Sequence, residues 1–303
     1  MDKGLKILIV ILATMMVGLL ILGLLGNKKE NEGDKNKEKI LTSFYPIYVM
    51  TLNITDGVEN VETSNMAENF FGCIHDYTLT TQDLKKVENA DVFIQSGNGL
   101  EPFTEKLIQS NKRIHLISCA KDVDNLIEND EGEQNAHTWL SIKNYKKEVK
   151  EIAKQLSLYD LKNKNKYERN LEKYILKIED LELKYKELEV DLKKNNIKAI
   201  CLDESLEYIL KEIGIEEETI ETDHEQSSLS AEQVKEIIEK MRDERIKSIF
   251  IAKNNNTKTA ELLAKETGAK IYKLNSGMSG EADKDDYLNI MKENFEVLKQ
   301  LGE

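Results

Sequence analysis

Proline is nearly missing from this chain, with only Pro46 and Pro102 among 303 residues. Between Lys143 and Lys194 there is neither proline nor glycine, so the two residues that most often interrupt a helix are absent there. Cysteine is scarce as well. Cys73, Cys119 and Cys201 lie far apart with no CxxC pair, which argues against a structural zinc knot. The odd count leaves one thiol over in any disulfide scheme, and all three read as small buried apolar residues. GxSxG, GxGxxG, P-loop and HExxH patterns are all absent, and no enzyme activity is expected. A net charge of -13 supplies no basic face, so no nucleic-acid partner is expected.

Long apolar runs are also lacking, with one exception. Leu5 to Gly26 carries a single charge, Lys6, and about 20 apolar residues suffice to cross a bilayer core as a helix. The run exceeds a usual signal core of roughly 7–15 residues, and no small-x-small site follows it. A lipoprotein signal would need a cysteine, and Asn27 stands there. Residues 1–26 are therefore expected to be an uncleaved N-terminal membrane anchor. Residues 27–38 are highly charged and read as a disordered tether.

The remainder alternates between strand and helix patterns. Lys39 to Phe44 and Val92 to Ile94 are apolar runs that read as strands, and Thr80 to Asn89 reads as an amphipathic helix. Across Lys143 to Lys194, Tyr174, Ile178, Leu181, Tyr185 and Leu188 recur at steps of three and four, the period of one helix face. The alternation then resumes. Ser230 with Gln233 three residues on predicts a capping box, and Gly268 is placed to stop a helix. Strands alternating with helices imply parallel sheets. The predicted fold is α/β, with two lobes joined by a long rigid helix: an N-terminal lobe over 39–142, a linking helical region over 143–195 and a C-terminal lobe over 196–303.

The sequence has four histidines. His115 sits mid-strand in RIHLIS and reads as structural. His75 and His137 fall in loops beside predicted strands and helices, where open α/β sheets place their ligands. An imidazole there can ligate zinc or can simply be solvated.

The segment HDYTLTTQDLKKVENADVFIQSGNGLEPF, His75 to Phe103, is followed by NAHTWLS, Asn135 to Ser141, and by AKETGAKIYKLNSG and DYLNIMKENFEVLK near the C-terminus. In that order these segments resemble the substrate-binding proteins of zinc and manganese ABC transporters, the cluster A-I metal receptors of zinc-uptake type. The resemblance runs from about Lys39 to the end. It implies two α/β lobes with a metal site in the cleft between them. It also implies metal ligands at His75, at His137, at Asp203 with Glu204 beside it, and at Asn275, with His224 as a further candidate. The implied cargo is Zn(II), and the oxygen donors at Asp203 and Asn275 keep Mn(II) open. The implied role is a monomeric extracytoplasmic receptor that hands its metal to an ABC transporter permease. A manganese-specific receptor is the alternative, as is a surface adhesion protein with a degenerate metal site.

Overall fold

The computed structural model describes residues 37–302 apart from 69, 71, 129–131 and 221–228. The expected anchor, most of the tether and His224 lie outside the described residues. Among the described residues no helix is long and apolar enough to cross a membrane. Glu38 to Glu303 forms one compact unit.

Two four-stranded parallel sheets organise this unit. The first has the order β2-β1-β3-β4, built from Glu38–Thr42 (β1), Val61–Asn65 (β2), Val92–Gln95 (β3) and His115–Ser118 (β4). Tyr45–Ile54 (α1), Thr81–Glu88 (α2) and Thr104–Ser110 (α3) connect its strands. A small antiparallel hairpin follows, Ile127–Glu128 (β5) with Gln134–Asn135 (β6). Then come Ile142–Tyr159 (α4) and Lys164–Lys193 (α5).

The second sheet has the order β10-β9-β7-β8, from Lys198–Cys201 (β7), Glu216–Thr219 (β8), Ser248–Ala252 (β9) and Lys270–Leu274 (β10). Its helices are Glu207–Glu212 (α6), Ala231–Asp243 (α7), Lys258–Thr267 (α8) and Asp286–Lys299 (α9). This is the expected pair of parallel α/β lobes with a helical link.

Burial of both sheet faces explains the strand sequences. β3 and β9 are buried at every position, as parallel strands with helices on both faces must be. In β9, Phe250 points into one core cluster while Ile249 and Ile251 point into another, which is the two-residue alternation of a strand. β8 differs. Its sequence is EEET, it pairs only with β7, and it forms the sheet's edge.

α5 has 30 residues, about 45 Å at the helical rise. Its buried face is Tyr167, Tyr174, Ile178, Leu181, Tyr185, Leu188 and Leu192, the stripe that the spacing predicts. That face packs on α4, α1 and α9. One continuous apolar cluster runs from Ile40 and Phe93 of the first sheet through Tyr145 and Ile178 of the long helices to Cys201 and Leu274 of the second. Both lobes therefore share a core, and α4 and α5 are its spine. The capping box at Ser230 and Gln233 is present, and Gly268 ends α8 in a left-handed conformation with φ 70°.

Two carboxyls are sunk in this interior. Glu101 accepts from Ser43 Oγ and from the Ser96 and Gly97 amides, and burial still raises its pKa to about 7. Glu148 of α4 is fully buried and accepts from the Thr138 hydroxyl, while its Oε2 has no hydrogen-bond partner. Burial also pushes its pKa up to about 7. A carboxyl with a raised native pKa binds its proton more tightly folded than unfolded. Its contribution is most favourable below the unfolded value of 4.5 and declines as pH rises through about 7. Glu148→Gln is accordingly expected to stabilise the protein on the order of 3 kcal/mol at pH 8 and little at pH 4.5, read from urea unfolding at both pH values. In the spine, Ile178→Ala opens a cavity at a fully buried position and should cost about 2–5 kcal/mol in the same assay.

Candidate metal centre

The polar side chains that converge all follow the carboxyl ends of strands or the β5–β6 hairpin. The loop after β2 leads to a short 3-10 turn, Ile74–Asp76. Ile74 is fully buried and anchors that turn in the core, so that Cys73 and His75 flank it. The β6 strand delivers His137, followed at once by the turn Thr138–Leu140 with the buried Trp139. From the second lobe, β7 leads into the turn Glu204–Leu206. An open α/β sheet presents its ligands at strand carboxyl ends because its faces are covered by helices.

Cys73, His75, His137 and Glu204 form one group, with a ligand atom from each lying within 4.8 Å of every other. Cys73 Sγ is 3.3 Å from His75 Nδ1 and 3.2 Å from His137 Nε2. The two imidazoles meet edge to face, with centroids 5.2 Å apart. In a tetrahedral zinc site, bond lengths near 2.0 Å to nitrogen and 2.3 Å to sulfur place neighbouring donors about 3.5 Å apart. The two sulfur-to-nitrogen distances lie within a few tenths of an ångström of that spacing, and the whole group, with Glu204 Oε1 3.6 Å from His137 Nδ1, is compact enough to fit a metal ion. Three of the groups come from the first lobe and Glu204 comes from the second.

Asn135 sets the orientation of His137. Its Nδ2 donates to the Glu204 carbonyl at 2.8 Å and to Glu207 Oε2 at 2.7 Å. Its Oδ1 therefore faces His137, accepting from the backbone amide at 2.8 Å and lying 2.9 Å from the ring Nδ1. An amide oxygen cannot donate, so His137 carries its proton on Nδ1 and turns the Nε2 lone pair toward the cluster. Tyr208 of α6 reinforces the link by donating to the Asn135 carbonyl at 2.7 Å. Trp139 Nε1 donates to the Ser276 carbonyl at 2.8 Å, which ties the turn after His137 to the loop after β10. Burial raises the Cys73 thiol to about 12, against a backbone hydrogen bond near His75 that lowers it, with Glu204, Asp76 and Asp203 adding negative charge nearby.

Of the residues expected as ligands, the structure brings together His75, His137 and Glu204. Asp203 is the neighbour of Glu204 and is used differently. Its Oδ1 accepts from the Ser205 amide and hydroxyl, capping the 3-10 turn, and its Oδ2 accepts from Asn255 Nδ2 at 2.6 Å. Asn275 Oδ1 accepts from the Gly277 amide at 3.0 Å, closing the turn after β10. His224 lies outside the described residues. The group that the sequence did not single out is Cys73, and the only available signal was its position two residues before His75.

Two α/β lobes on a helical spine, with histidines and a carboxylate meeting at strand ends between them, define a substrate-binding receptor of the metal-importer class. A family model described as the periplasmic component A of the zinc-uptake complex matches residues 40–301, and the chain belongs to that family. It is 27% identical over 297 residues to the metal ABC transporter substrate-binding lipoprotein FimA of Streptococcus parasanguinis, covering 93% of this chain and 94% of the relative. It is 28% identical over 296 residues to the high-affinity zinc uptake system protein ZnuA of Bacillus subtilis, covering 89% and 88%. Among solved structures, FpvC of Pseudomonas aeruginosa in complex with Mn2+ superposes with a TM-score of 0.76 at 25% identity, covering 88% of this chain and 98% of that one.

Removing a hydrogen bond that orients a ligand typically costs 10–100-fold in metal affinity. Asn135→Ala is expected to weaken metal binding by about that factor while leaving the circular dichroism spectrum unchanged.

Proposed function

We propose that the chain captures Zn(II) outside the cytoplasm and passes it to the permease of an ABC importer. The observation that carries this reading is the convergence of His75, His137 and Glu204 from two lobes onto one point. Two imidazoles and a carboxylate suit a borderline cation, and the carboxylate from the second lobe lets a bound ion bridge both lobes. The similarity to a zinc uptake protein agrees. Manganese remains the second reading, because FpvC is recorded with Mn2+ and Glu204 offers a hard oxygen. Asp203 and Asn275 act in this scheme as supports of the loops around the site rather than as donors, and the receptor works as a monomer.

FimA is named a lipoprotein. In this sequence the first cysteine is Cys73, within the metal cluster, so the apolar run of residues 1–26 is the proposed anchor and residues 27–38 the tether. Tethering raises the concentration that the permease experiences.

Calorimetric titration of the metal-stripped protein is expected to give one tight Zn(II) per chain, with His75→Ala and His137→Ala each abolishing tight binding. Ligand imidazoles must be neutral, so affinity should fall as pH drops below about 6. No zinc binding by the folded wild-type protein would refute the receptor reading. Deleting residues 5–26 should move the protein from the membrane fraction to the soluble one.

A further inference from the structure

We infer that Cys73 is a metal ligand, a thiolate that completes a four-donor site and sets it for thiophilic cations of the zinc class against manganese. The inference rests on the receptor reading and deepens it. Sγ touches both imidazoles, at 3.3 Å from His75 Nδ1 and 3.2 Å from His137 Nε2. Its placement follows from the backbone. Ile74 is held in the core with no exposed surface, so residues 73 and 75 emerge on either side of that anchor into the same space. His137 presents Nε2 toward the sulfur because Asn135 engages Nδ1.

Among the described residues of the second lobe, the two other expected ligands also hold loop structure: Asp203 binds Ser205 and Asn255, and Asn275 binds Gly277. Sulfur is the fourth donor of the group that the described residues form. Cys119 and Cys201 have no such setting. They are fully buried and belong to no cluster of potential ligands among the described residues.

The chemistry balances without any change of oxidation state. The S–H bond breaks, its proton passes to solvent buffer, and the sulfur electron pair enters the metal's coordination shell. A thiolate is a soft donor that favours Zn(II), Cd(II) and Cu(I), whereas Mn(II) prefers hard oxygen ligands and stands at the weak end of the divalent series. Replacing a neutral amide or a second carboxylate by sulfur therefore moves the whole site toward zinc. The structure thus supplies selectivity against manganese at one residue, although relatives of the same fold take either ion.

Cobalt(II) makes the test direct, because a thiolate bonded to it gives a strong near-ultraviolet charge-transfer band that nitrogen and oxygen donors do not. The full-length chain in detergent, loaded with Co(II), is expected to show that band. Cys73→Ser should lose it while keeping the visible d–d bands. Competition between Zn(II) and Mn(II) should show a preference for zinc that falls in Cys73→Ser by more than about 100-fold, the upper range for losing a mere supporting contact. Cys73→Asp should recover affinity for Mn(II). A wild-type Co(II) complex with d–d bands and no charge-transfer band overturns the role of Cys73 and leaves the receptor reading standing. Failure of the folded wild-type chain to bind Co(II) or Zn(II) overturns both. The wild-type spectrum alone decides the point if a variant fails to fold.

Discussion

Everything in this molecule depends on one continuous apolar core shared by two sheets. α4 and α5 bury their faces against both lobes at once, with Tyr145, Tyr174 and Ile178 between elements drawn from either end of the chain. Neither sheet can bury its inner face without those helices, so separating the lobes would expose apolar surface at roughly 25 cal/mol per Å². That constraint fixes where the open strand ends point. The polar residues at those ends can then be held in register by a few hydrogen bonds, because the large-scale geometry is already set.

Those hydrogen bonds cross from lobe to lobe. Asn135 reaches the Glu204 carbonyl and the Glu207 carboxylate, Tyr208 returns to the Asn135 carbonyl, and Trp139 spans to Ser276. Tyr45 joins α1 to the start of α9 through Asp286 at 2.5 Å. The Asn135 and Tyr208 bonds lie beside His137 and Glu204, whereas the Tyr45 bond is a tie that involves no candidate donor. Asn135 thus both orients His137 and adds a tie between lobes that the shared core already holds.

Much of this arrangement was legible in the sequence, and the exceptions have physical reasons. The stripe from Tyr174 to Leu188 gave α5 because a helix facing a core on one side must repeat near 3.6 residues. β3 was legible as a short apolar run, since Val92, Phe93 and Ile94 are buried on both faces of the sheet. β8 was not, because EEET has neither alternation nor an apolar run, and only its pairing with β7 makes it a strand. Within the site, the place of His75 and His137 in loops left ligand and solvated residue both open, and the family resemblance singled them out. Asp203 and Glu204 are neighbours at the start of a 3-10 turn, and which one caps the turn while the other faces the imidazoles depends on backbone dihedrals that composition does not encode. Cys73 was read as a small apolar residue, because a lone cysteine has no partner in the sequence. Its partners are imidazoles 2 and 64 positions away.

The edge strand β8 has a consequence for what can add to the sheet. An open sheet edge offers unpaired amides and carbonyls to any strand that drifts alongside. Three successive glutamates, Glu216 to Glu218, line this edge. Glu216 and Glu218 are ion-paired with Lys198 and Lys240, so a strand approaching this edge would meet charged side chains of both signs and no apolar row to pack on. The same glutamates that weaken β8 as a sequence signal thus make it a poor template for a further strand.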